Sequence, residues 1–156
     1  MKSRSNHLLL AFLLVTVRLA ADWPQFRGPD GQGHSAEKGI PIHWAEDENI
    51  SWKTVVPGQG WSSPVIAGKQ VWMTSAEAEG KSLHAVCIDK TGGKLLHNVE
   101  VLTPGEAGPR HRLNGYASPT PVLDGERVFV NFGPRGTACL DTAGRILWKN
   151  TAFEYN

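Results

Sequence analysis

Ser63-Pro64-Val65-Ile66-Ala67-Gly68-Lys69-Gln70-Val71-Trp72-Met73 decides the fold, because it returns as Thr120-Pro121-Val122-Leu123-Asp124-Gly125-Glu126-Arg127-Val128-Phe129-Val130. Each copy sets two short apolar runs around a Gly-containing tight turn, the pattern of a β-hairpin. Pro64 and Pro121 open the first strand of each copy, where a missing N–H does least harm to a ladder. A second pair of stretches follows the first. Ala85 to His97 and Thr137 to Trp148 again read strand, turn, strand. Asp89 and Asp141 begin these turns, where a carboxylate accepts turn N–H groups, and Gly93 and Gly144 take a positive φ. The second turn is one residue shorter.

One unit is therefore two hairpins, and the unit occurs twice, with Pro64 matching Pro121 and Cys87 matching Cys139. Four strands recurring near every fifty residues predict an all-β fold of four-stranded antiparallel blades, as in a β-propeller. The expected blades span 61–103 and 116–151. Equivalent positions in stacked sheets sit about 10 Å apart, so Cys87 and Cys139 are expected as buried free thiols rather than a disulfide.

Upstream of the first blade, Ile50, Trp52, Thr54 and Val56 alternate with Ser51, Lys53 and Val55, which predicts a strand over 50–56. The stretch 22–49 is too rich in Pro, Gly and polar residues for regular structure and is expected as an irregular arm. Trp23, Phe26 and Trp44 are expected to anchor it by burial. Residues 1–21 read as a signal peptide. Lys2 and Arg4 precede the apolar run Leu8 to Val17, and Ala20-Ala21 offers small residues for cleavage before Asp22. Export to a periplasmic or extracellular compartment follows, with no transmembrane span once the signal is removed.

The formal charge of the whole chain is +1, and Lys2, Arg4 and Arg18 fall in the signal segment, which leaves −2 for the rest. With no basic run besides, no nucleic-acid partner is expected. Six Trp among 156 residues suit stacked sheets.

The stretches 87–96 and 139–149 resemble the repeat of pyrrolo-quinoline-quinone-type (PQQ-like) β-propellers, which reads Ala-x-Asp-x-x-Thr-Gly-x-x-x-Trp. The opening Trp23-Pro24-Gln25-Phe26-Arg27-Gly28-Pro29 is similar to that of exported bacterial members. His97 departs from the expected Trp, and Ala143 from the turn Thr. The resemblance implies a propeller of six to eight blades, of which this chain carries two. It further implies that 50–56 would complete the last blade by closing the ring, so the chain is expected to be an N-terminal fragment. A small two-sheet protein, or one that assembles from several chains, is the alternative.

The functional expectation is a non-catalytic binding or scaffold module with a protein partner, similar in kind to the propeller that helps assemble outer-membrane proteins. The alternative is the N-terminal part of a quinone-dependent alcohol or sugar dehydrogenase. That alternative alone calls for PQQ and calcium, and the chain has neither the adjacent cysteines nor the acidic and amide cluster that hold them. No catalytic residue, cofactor or metal is predicted otherwise. In a propeller the loops 58–63 and 109–118 share one face. Arg110, His111, Arg112, Asn114 and Tyr116 in the second loop are the candidate ligand-facing residues. The two arginines suit an anion, and His111 suits an acid, a base or a metal ligand.

Overall fold

The computed structural model describes residues 22–152. The expected export signal at 1–21 lies outside the described residues. Eight strands form two separate four-stranded antiparallel sheets with almost no helix. In the first sheet β1 (Val65–Ala67), β2 (Gln70–Glu77), β3 (Ser82–Asp89) and β4 (Leu95–Leu102) lie in chain order. In the second, β5 (Val122–Asp124), β6 (Arg127–Asn131), β7 (Thr137–Asp141) and β8 (Ile146–Asn150) do the same. Neither sheet closes on itself.

The turns work as their residues require. Gly68 (φ 54°) and Gly125 (φ 56°) each fill the first position of a two-residue loop, where a left-handed residue matches the twist of the flanking strands. Asp89 accepts the Gly92 N–H at 2.7 Å. Asp141 accepts those of Ala143 (3.0 Å) and Arg145 (2.8 Å), and also takes the Arg145 guanidinium. These bonds hold the Asp141 carboxyl below its ordinary value. The Arg145 backbone N–H is the largest cause, burial opposes it, and the Arg145 side chain adds to it.

The sheets share a strand order and one irregularity, and the first has a further register shift between Leu83 and His84. Across the first, Val65, Trp72, Cys87 and His97 form one row of partners; across the second, Val122, Phe129, Cys139 and Trp148 do. Each ladder slips directly after its cysteine, between Cys87 and Ile88 and between Cys139 and Leu140. Side chains alternate between the faces of a strand, so each row marks one face. We call it the row face and the other the back face.

The main core lies where the row face of the first sheet meets the back face of the second. Val65, Trp72, Ala85 and Cys87 pack there with Leu123, Val128, Val130, Ala138 and Leu140. The contact is head to tail, joining unlike faces of like sheets. The cysteines are buried and free. Burial, and then the Asp89 carboxylate, pushes the Cys87 thiol up to about 12. Burial raises Cys139 as well.

Head-to-tail contact repeats at the aromatic end of each row. A Cβ on Gly144, in the second sheet's turn, would lie 3.1 Å from Cγ of His97. A Cβ on Gly93, in the first sheet's turn, would lie 2.5 Å from Cε3 of Trp52. The Trp52 indole also donates to the Lys90 carbonyl in that turn at 2.9 Å. Trp52 thus does for the first sheet what His97 does for the second. It packs with Val56 on the back-face cluster of Val71, Val86 and Ile88. The expected strand over 50–56 forms no ladder, because no described residue pairs with its backbone. Of its alternating residues, Trp52 and Val56 pack on the sheet face, while Ile50 and Thr54 are exposed.

The arm, 22–49, is irregular as its composition predicts, but two of its three expected anchors are not buried. Phe26 and Trp44 are exposed, and Phe26 instead carries the Arg27 guanidinium over its ring. Trp23 is half-buried, and its backbone pairs both ways with Ile66 at 2.8 Å. The next residue, Pro24, accepts the Leu123 N–H at 2.8 Å. Two successive arm residues therefore tie β1 to β5.

Candidate functional site

Three connections meet at one end of the stacked sheets: the approach to β1, the β2–β3 connection and the segment joining the sheets. They enclose a cavity of about 850 Å³. Gly58, Gln59 and Trp61 supply one wall, residues 76–80 a second, and Arg110, Arg112, Asn114, Gly115 and Tyr116 the third. The loops 58–63 and 109–118 thus share one face, as the propeller reading expects.

Tyr116 holds this end together. The guanidinium carbon of Arg135 lies 4.7 Å from its ring centre and that of Arg110 lies 5.2 Å away. Gly80 presses on the ring so closely that a Cβ would approach Cγ to 2.4 Å. Arg135 comes from the short 3-10 turn Gly133–Arg135 and donates to the carbonyls of Ala107 (2.6 Å) and Pro109 (3.1 Å). It therefore fixes the start of the joining segment. Burial lowers its pKa, and Tyr116 opposes that shift. Arg110 donates to the Asn114 carbonyl at 2.7 Å. Trp61 donates its backbone N–H to Ala117 at 2.9 Å while its side chain stays 70% exposed.

The five sequence candidates divide. Arg110, Arg112, Asn114 and Tyr116 line the cavity. His111 does not line it, and its Nδ1 accepts the Leu113 N–H at 3.2 Å, so the imidazole shapes the turn. Glu77 and Glu79 line the opposite connection and were not singled out by any sequence pattern. Glu77 is extended, and a strained run follows it: Ala78 (φ 47°), Glu79 (φ 55°) and Gly80 (φ 90°) are left-handed in succession. A non-glycine residue in that region costs roughly 1–3 kcal/mol. Ala78 and Glu79 are exposed and only Gly80 is buried, where it lies against the Tyr116 ring.

Among the described residues, no ion pair joins Glu77 or Glu79 to Arg110 or Arg112. Nor do three or more His, Cys, Asp or Glu side chains gather as a metal would require. Cys87 and Cys139 are free and lie on different sheets. No helix among them is long and apolar enough to cross a membrane. A scan against models of known protein families matches none, and a search of the curated proteins finds no relative.

Proposed function

We propose that the chain is part of an exported PQQ-like propeller that acts as a protein-binding scaffold and performs no catalysis of its own. The observation that carries this reading is the head-to-tail contact between equivalent sheets. Unlike faces joined in a like manner form an interface that does not close on itself and invites a further unit. Trp52 against Gly93 and His97 against Gly144 are two instances of one aromatic-on-turn contact. Trp148 holds the third aromatic position and is 44% exposed. Val122, in the same row, is 43% exposed, whereas its counterpart Val65 is fully buried.

On this reading the row face of the second sheet receives a further protein surface. Trp52 stands where the fourth strand of a preceding sheet would put its aromatic residue. The residues around it support this, since Ile50-Ser51-Trp52-Lys53 parallels Ile146-Leu147-Trp148-Lys149.

The test is a photo-crosslinking amino acid at position 148 of the full chain, activated in an exporting bacterial host. A discrete protein adduct is expected. No adduct at 148 would overturn the scaffold reading. Reduction of an electron-acceptor dye that depends on PQQ and calcium would replace it with the dehydrogenase.

A further inference from the structure

We infer that the cavity at the loop end binds an extended peptide segment that carries one basic and one acidic side chain. This deepens the protein-binding reading and rests on it. The argument starts from the charges that line the cavity. Glu77 and Glu79 stand on the β2–β3 connection, and Arg110 and Arg112 on the segment that joins the sheets. Opposite charges on one cavity ordinarily draw together, yet no ion pair joins them among the described residues.

The Asn114 carbonyl and the Tyr116 ring hold Arg110. On the acidic side the left-handed run at 78–80, with Gly80 against the Tyr116 ring, sets the backbone that carries Glu79. Charges of both signs thus line the cavity without an ion pair between them.

This arrangement selects by what it rejects as much as by what it pairs. A polyanion such as nucleic acid meets the two carboxylates, and a polycation meets the two guanidiniums. The hydroxyls of an uncharged sugar would hydrogen-bond these groups but neutralise none of the four charges. A single amino acid carries both signs but leaves most of the 850 Å³ unfilled. A peptide segment supplies both charges at a distance, and its backbone amides match the side-chain amide of Gln59. The Trp61 indole, largely exposed beside these groups, offers an apolar surface for the stem of a lysine or arginine.

The experiment uses the purified full chain and blocked synthetic peptides with one lysine and one glutamate, the Gly/Ala spacer lengthening residue by residue in both orders. All-lysine and all-glutamate peptides serve as controls, and binding is read by titration calorimetry. At least one mixed peptide is expected to bind more tightly than both controls and to weaken as salt rises toward about 0.5 M. Glu79→Gln and Arg112→Gln are each expected to weaken it by about fivefold, as for exposed charge pairs, and Arg112→Lys to restore part of the loss. Both side chains are exposed, so the variants keep the fold, which circular dichroism checks. Equal binding of all three peptide classes, no binding by any mixed peptide, or unchanged affinity in both variants would overturn the proposal. If the peptides fail while position 148 still forms its protein adduct, the cavity assignment falls and the scaffold reading stands.

Discussion

The two sheets share a strand order, a register and even a ladder slip, yet they differ in what covers them. In the first sheet Trp72 is fully buried. It stacks on His97 at 5.7 Å and donates its indole N–H to Gln70 at 3.0 Å. Gln70 in turn donates to the Thr142 carbonyl of the second sheet at 2.9 Å. One indole thus fixes the amide that fixes the neighbouring turn. In the second sheet Phe129 takes the place of Trp72 and tilts against Trp148 at 6.2 Å, but nothing described lies beyond them. The same row is core in one sheet and, apart from the buried Cys139, partly exposed in the other. Position in a stack, and not the sequence of the strand alone, decides how far a side chain is buried.

The comparison is broken most directly by truncating its two central rings. Trp72→Ala is expected to cost about 3–5 kcal/mol, the usual loss for a buried large aromatic. Phe129→Ala is expected to cost about 1 kcal/mol. Urea unfolding of both variants checks this, and equal losses would mean that the second sheet is covered in solution. That outcome would point to self-association through the row face.

A smaller contrast lies in the turns. Gly93→Ala is expected to lose about 2 kcal/mol or more, since φ is 72° and the new Cβ would meet the Trp52 ring. Gly125→Ala has a φ of 56° and open space around it, so only the backbone cost of about 1 kcal/mol remains. Thermal melts of the pair separate strain from collision. Similar losses would show that Trp52 yields easily and that the segment 50–56 is loosely held.

The smallest effect concerns acid. Asp141 is held below its ordinary value of 3.8. Its contribution is therefore fully present above the unfolded value and is lost as the pH falls through the lower folded value. The amide signals of Ala143 and Arg145 should shift together in an NMR titration with a midpoint below 3.8. A midpoint at 3.8 would mean that the turn bonds to Asp141 carry no weight in solution.

Much of this was legible from residue order. Pro64 and Pro121 located the first strands, Gly68 and Gly125 the tight turns, and Asp89 and Asp141 the second turns. All of them read clearly because they act within four residues of one another. The meeting of 58–63 with 109–118 was expected only from the resemblance to propellers, not from any local pattern. What stayed hidden depends on contacts distant in sequence. Residues 50–56 alternate like a strand, yet that Trp52 would lie against the turn at Gly93 had no local sign. Glu77 and Glu79 gave no signal, because the left-handed run that follows Glu77 goes against the propensity of alanine and glutamate and has no local sign. The hold of Arg135 on Tyr116 was invisible for the same reason, and His111 turned inward to its own loop.

The tie made by Trp23 and Pro24 has a consequence for the order in which the molecule assembles. Every strand pairs with its neighbour in sequence, so each sheet forms from local contacts, which favours rapid formation. The arm is different, because Pro24 must wait for Leu123, on the far side of the whole first sheet. Bringing such distant points together is an entropic loop-closure cost that grows with the intervening length, and here the first sheet has already compacted that interval. The arm is therefore a late clasp. Its bonds to Ile66 and Leu123 need both sheets in place, so an intact arm reports that the stack is right.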